Sequence, residues 1–214
     1  LSLEELFKNN KKMIPESFKG WLLQPTPLSR IALTFLLSIL VAGFIACNTT
    51  VFAWARDSEF IYYIWLPAGL RLLIIMLFGW TGVLAVTLGF FFAFTPHVDG
   101  NLGDVSLLIL GFVRAVSVYA ALWVYGRVTG IKFPWNYITW IHIPFLALFT
   151  AIANQIAFHS VHAFLSADRY VPVLRNVTLA ALSNMLGVLV FLALALLFRR
   201  SYLEYKKREA VESV

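Results

Sequence analysis

The sequence predicts an all-α, polytopic integral membrane protein, and three observations carry that prediction. Of 214 residues, 60% are hydrophobic and only 13% charged, where a soluble domain carries about 25% charged and about 45–50% apolar residues. The apolar residues gather into six segments of about 17–25 residues, the length a helix needs to cross a bilayer. The basic residues concentrate in alternate connections between those segments, the asymmetry that membrane insertion leaves. Mean hydropathy is +0.80, so the surplus apolar surface must face lipid. The length suits one domain, and no stretch remains for a second, soluble one.

Residues 1–30 read as a cytoplasmic amphipathic segment. Ser2 and Glu5 have the spacing of a capping box, and Leu3, Leu6, Phe7, Met13, Ile14, Phe18 and Trp21 interleave with Lys8, Lys11, Lys12 and Lys19. That pattern predicts one or two interfacial helices with their basic face toward lipid headgroups. The first apolar run starts too late and extends too far for a cleaved signal peptide.

A six-helix transmembrane domain is predicted over 31–198, with spans at 31–53, 60–79, 82–96, 105–127, 138–163 and 176–198. The second is expected to be broken at Pro67-Ala68-Gly69, because proline removes an intrahelical hydrogen bond and frees a carbonyl. Arg71, one turn on, is placed to satisfy that carbonyl. Gly79-Trp80-Thr81-Gly82 predicts a tight turn into the third span, and Pro96 to Asp104 a loop. Pro144 is expected to bend the fifth span. Residues 199–214 form a basic cytoplasmic tail, and Phe198 to Val214 suits an amphipathic docking helix.

Orientation follows from the charges. Twelve of the seventeen Lys and Arg fall on the side of the termini, three on the other, and two, Arg71 and Arg114, inside spans. The termini are therefore expected in the cytoplasm of a bacterial inner membrane protein. The net charge of +6 is thus largely a topology signal and argues against nucleic acid. Trp80, Trp123, Trp135 and Trp140 fall at the cytoplasmic boundary, and Trp54 and Trp65 near the opposite one. Cys47 alone excludes an internal disulfide or a cysteine zinc cluster.

The two intramembrane arginines are the leading chemical signal, since a charge near mid-bilayer is costly and marks a site by default. No Asp or Glu lies within a span, so partners must come from carbonyls, Asn154, Gln155, Asn184, water, lipid or a ligand. The ligand-site expectation therefore comprises Arg71, Arg114, Asn154, Gln155, Asn184, Trp65, Pro67 and Gly69. A weaker metal or proton-sensing expectation joins His159 and His162, one helical face apart by three residues, to His97, Asp99, Asp104 and Asp168 in outer loops. Gly111/Ala115, Gly126/Gly130 and Ser183/Gly187 have the spacing of close helix packing. No catalytic constellation is present, so neither an enzymatic activity nor a cofactor is expected.

Two stretches carry a resemblance. Ile64-Trp65-Leu66-Pro67-Ala68-Gly69 is followed by Leu77-Phe78-Gly79 and Gly89, and the last span reads Leu182-Ser183-Asn184-Met185-Leu186-Gly187-Val188-Leu189-Val190. Over roughly 60–198 this resembles the MASE-type membrane-associated sensor domain of bacteria, with its aromatic-x-Pro-small-Gly break, Leu-Phe-Gly, and late Gly-Asp-x-Leu-Gly-Val-Leu span. Leu66 replaces a common second proline, and Asn184 stands where that pattern often has Asp. The resemblance implies an input module normally fused to kinase or cyclic-di-nucleotide output domains; here a stand-alone copy is expected. The expected function is a non-enzymatic sensor-like or accessory module that binds membrane lipids, a partner protein or a second copy, and a small ligand within the bundle. The alternative is a transport component holding an anionic solute near Arg71 and Arg114. A third reading is a subunit that interacts with a polar lipid or quinone.

Overall fold

A computed structural model describes residues 26–58, 61–95, 103–131, 141–165 and 174–212. The expected interfacial helices at 1–25, and the loop residues His97, Asp99, Trp135, Trp140 and Asp168, lie outside the described residues.

Helix α1 spans Pro27–Val51. Thr26 caps it, its hydroxyl accepting from the Ser29 N–H at 3.2 Å, and Pro27 takes the first helical position, where its missing N–H costs nothing. A 3-10 turn at Ala53–Ala55 leads into a small antiparallel ribbon, β1 at Arg56–Ser58 and β2 at Ile61–Tyr62. Helix α2 spans Pro67–Phe78 and α3 spans Trp80–Phe94. Gly79 alone joins them, with φ at +55°, a conformation that favours glycine because a Cβ is strained there. Helices α4, α5 and α6 span Asp104–Thr129, His142–Leu165 and Leu174–Glu212.

Among the described residues, four helices are long and apolar enough to cross a membrane: α1, α4, α5 and the Leu174–Leu194 part of α6. At about 1.5 Å per residue, α2 is about 18 Å long and α3 about 22 Å, each short of a ~30 Å hydrocarbon core. The second predicted span is therefore corrected. It is not a helix interrupted at Pro67-Gly69, because residues 63–66 are not helical and Pro67 occupies the first position of α2. Proline begins this helix rather than breaking it. Pro144 likewise lies in the first turn of α5, where a ring replaces no needed N–H, and it bends nothing mid-span.

The helices pack in the order α1, α3, α4, α5, α6, with α2 enclosed among α1, α3, α4 and α6. Eight of the twelve α2 residues are buried, including the whole first turn and a half from Pro67 to Leu72. Toward the end of the bundle that holds β1 and β2, Arg175 at the start of α6 pairs with Asp57 at 3.4 Å, and Asp57 also accepts from the Tyr63 hydroxyl at 3.0 Å. At the other end the Tyr125 hydroxyl meets His142 Nδ1 at 2.8 Å, joining α4 to α5.

Polarity is distributed as a bilayer demands. Leu28, Ile31, Phe35, Leu36, Ile39 and Leu40 of α1 are exposed, whereas Asn48, Arg71, Arg114, Asn154, Gln155, His159, His162 and Asn184 are buried. Lipid accepts the apolar outer faces, and polar groups find one another inside.

Candidate functional site

The site begins with a backbone problem. Residues Tyr63 to Leu66 pass from the exposed end of the bundle toward its interior without helical hydrogen bonds, and irregular backbone survives there only where protein satisfies it. Asn48 of α1 does so. Its Nδ2 donates to the Ile64 carbonyl at 3.3 Å, and its Oδ1 accepts from the Leu66 N–H at 3.1 Å. The Trp65 and Leu66 carbonyls accept from the Ala68 and Gly69 N–H groups at 3.3 and 3.0 Å, which winds the chain into α2. Arg71, expected to satisfy freed carbonyls here, makes no hydrogen bond or ion pair with any described residue, although it is 7% exposed. Asn48 takes that role because its amide carries donor and acceptor at the height of the loop. An Asn three-quarters along an apolar span was its sequence signal, and it was missed.

Helix α6 closes the same segment from the other side. A methyl group on Gly187 would overlap the Trp65 carbonyl, and one on Gly69 would overlap Phe191 and approach the Gly187 carbonyl at 2.8 Å. Both glycines are required by close approach rather than by backbone angle. The two stretches singled out in the sequence, Trp65 to Gly69 and Ser183 to Gly187, therefore lie against each other. Trp65 itself is buried, 6% exposed, between Tyr62 (5.1 Å between ring centroids) and Phe94 (6.4 Å), so it is not an interfacial aromatic. Trp54, 77% exposed, is the aromatic on the surface there.

Beneath Trp65 lies a buried polar cluster. Tyr62, Trp65, Arg114, Gln155, Ser183 and Asn184 surround a cavity of about 10 Å³, room for roughly one water. Both side-chain polar atoms of Asn184, the Ser183 hydroxyl and Gln155 Oε1 are buried without a hydrogen-bond partner. Unsatisfied buried polar groups each carry a desolvation cost of about 1–3 kcal/mol, so the four atoms at this cavity leave hydrogen-bonding capacity that a water or another polar group would satisfy. Ser117 of α4 ties in the next layer, donating to the Arg114 carbonyl at 3.1 Å and approaching Asn154 Oδ1 at 3.5 Å.

Arg114 is held by rings. Its guanidinium carbon lies 3.7 Å from the Phe158 centroid and 4.9 Å from that of Phe90, an arrangement that stabilises a cation away from water. Phe158 in turn stacks parallel to His162 at 5.5 Å and meets His159 edge-on at 5.3 Å. The two histidines thus share a neighbourhood with a guanidinium, an environment that opposes a metal cation by like charge. Among the described residues no group of three or more His, Cys, Asp or Glu comes together. His97 and Asp99 lie outside the described residues.

Of the residues expected to form a ligand site, the structure brings Trp65, Arg114, Gln155 and Asn184 to one cavity; Asn154 meets Ser117 in the next layer, and Pro67 and Gly69 do not line the cavity. Arg71 does not line that cavity. The MASE1 family model matches residues 30–213, which takes in every element from α1 to the end of α6. The chain belongs to the MASE1 family. MASE1 is a membrane-associated sensory domain, so this MASE1 chain is a membrane protein with a sensory domain's architecture. No curated protein and no solved structure matches it significantly.

Proposed function

We propose that this MASE1 chain is a non-catalytic input module of the bacterial inner membrane that reads a small polar ligand at the Arg114–Asn184 cluster and passes the result to a partner protein. Six crossings with both termini cytoplasmic suit this role. Helix α2 is about 18 Å long, and it makes one crossing together with the non-helical segment that leads into it. The distribution of basic residues supports the orientation.

One observation carries the proposal. The polar cavity, the Trp65–Gly69 segment and α6 are in direct contact, and α6 continues without a break from Leu174 to Glu212. A polar group entering the cavity contacts Ser183 and Asn184 on α6 itself. Because Gly187 leaves no slack against the Trp65 carbonyl, a shift of α6 there is transmitted along a rigid rod to its far end. Carriage of an anionic solute held by both arginines is less well supported, since Arg71 does not line the cavity that Arg114 lines.

Tyr205, 65% exposed near the end of α6, is the place to test the output. A photo-crosslinking residue at Tyr205 in native membranes should give a discrete adduct with a partner protein or a second copy, and Gly187→Leu should change its yield. Only uncrosslinked monomer, together with a monomer free of co-purifying protein in mild detergent, would overturn the proposal. Loss of anionic-solute binding in Arg71→Leu and Arg114→Leu would favour the transport reading instead.

A further inference from the structure

A second, larger cavity among the described residues lies at the opposite end of α2 from the polar cluster. It measures about 730 Å³, within the range of small-molecule sites, about 300–1,000 Å³. Its floor is apolar and closed: Ile75 and Leu122 are each no more than 2% exposed. Its walls are aromatic, with the Trp80 and Tyr119 rings 4.9 Å apart and Trp123 beside them. Trp80 and Trp123 remain 55% and 56% exposed. At the rim the Arg127 guanidinium lies 5.0 Å over the Trp123 ring and forms no ion pair with a described residue.

From floor to rim the lining passes from aliphatic to aromatic to cationic. A phospholipid passes through the same sequence, from acyl chain to glycerol ester to phosphate. Tryptophan and tyrosine prefer the headgroup level because their rings are apolar and their N–H or O–H is polar. A guanidinium adds a planar donor set that matches phosphate oxygens. The charge asymmetry of the sequence assigns this end of the bundle to the cytoplasmic face, whose leaflet surface is anionic.

We propose that this groove is a specific site for one anionic phospholipid, with the phosphodiester on Arg127, the glycerol region between Trp80 and Trp123, and an acyl chain over Ile75 and Leu122. The bound lipid fills the seam between the α2–α3 turn and the end of α4.

Purified full chain in nanodiscs tests this. Dioleoyl phosphatidylglycerol titrated into phosphatidylcholine discs should saturate at one retained lipid per chain by native mass spectrometry. Arg127→Gln should weaken that binding roughly fivefold or more, the expected worth of one guanidinium near an anionic surface. Arg30→Gln, an exposed arginine at the same end but outside the groove, should leave it unchanged. In parallel, phosphatidylglycerol brominated along its acyl chains should quench tryptophan fluorescence, and the Trp80→Phe, Trp123→Phe double variant should lose most of that quenching. Equal retention of the two lipids, or equal loss in Arg127→Gln and Arg30→Gln, overturns the site in favour of an ordinary lipid annulus. Competition by glycerol 3-phosphate as effective as that by whole lipid also overturns it, in favour of a soluble phosphate ligand.

Discussion

Asn48 holds both sides of an irregular segment with one amide, and its two hydrogen bonds are separable. Asn48→Ala should lower stability by about 1–3 kcal/mol, because it leaves a buried carbonyl and a buried N–H unpaired. Asn48→Asp keeps the acceptor for Leu66 and loses the donor to Ile64, so its thermal midpoint in detergent should be lower than that of the parent chain. A midpoint unchanged in Asn48→Ala would remove the clasp from the account. Gly187 offers a sharper contrast. Gly187→Ala should cost about 1–3 kcal/mol by overpacking against the Trp65 carbonyl. Gly43→Ala, where a Cβ meets nothing within 4 Å, should be neutral or stabilising by about 0.5–1 kcal/mol. Parallel unfolding curves of the two variants decide whether close approach or helix propensity governs these glycines.

Among the elements, α2 is unusual in being short, apolar and enclosed on all sides, so it acts as the core of the bundle rather than a lipid-facing wall. Its start at Pro67 explains why proline is tolerated at mid-depth. The first N–H of a helix has no intrahelical acceptor, and the ring's fixed φ suits that position. Pro67→Ala should therefore change stability by less than about 1 kcal/mol; a proline that kinked a continuous helix would instead give a more stable variant. Helix α6 poses the converse question of rigidity. Ser201 is exposed and lies between the site and Tyr205. Ser201→Pro, costing about 3 kcal/mol of local helix, should free a spin label at Tyr205→Cys in a Cys47→Ser background while leaving the bundle's midpoint near that of the parent. Unchanged label mobility would show that the far end of α6 is not held through this helix.

For the whole molecule the decisive property is inverted polarity. Exposed leucine, isoleucine and phenylalanine line the outer surface, while Arg71, Arg114, Asn154, Gln155 and Asn184 are inside. Orientation is tested most directly with an impermeant maleimide on intact spheroplasts in the Cys47→Ser background. Trp54→Cys should label from outside and Tyr205→Cys only after lysis. Labelling of both from one side would require an odd number of crossings.

Much of this was legible in the chain. Lipid is a uniform apolar solvent, so the long apolar segments declare the helices, with boundaries for α3 and α4 within about two residues of those observed. The stretches Trp65 to Gly69 and Ser183 to Gly187 were visible as motifs, as was the placement of Arg114 inside a span. What composition could not reveal was partnership. Pro67 reads as a break along one helix until it is seen that the preceding residues are held from α1. Trp65 reads as an interfacial ring until Tyr62 and Phe94 enclose it.

The sequence alone determined that this is a membrane-embedded helical bundle, because hydrophobic length is a local property that the bilayer enforces segment by segment, and its short motifs carried the resemblance to MASE-type domains. The tertiary structure decided which polar residues meet. It joined Arg114, Gln155, Ser183 and Asn184 beneath Trp65, left Arg71 out of that cavity, and gave Asn48 the role expected of Arg71. Those choices rest on contacts between helices far apart in the chain, where distance and direction, not residue type, settle which donor meets which acceptor.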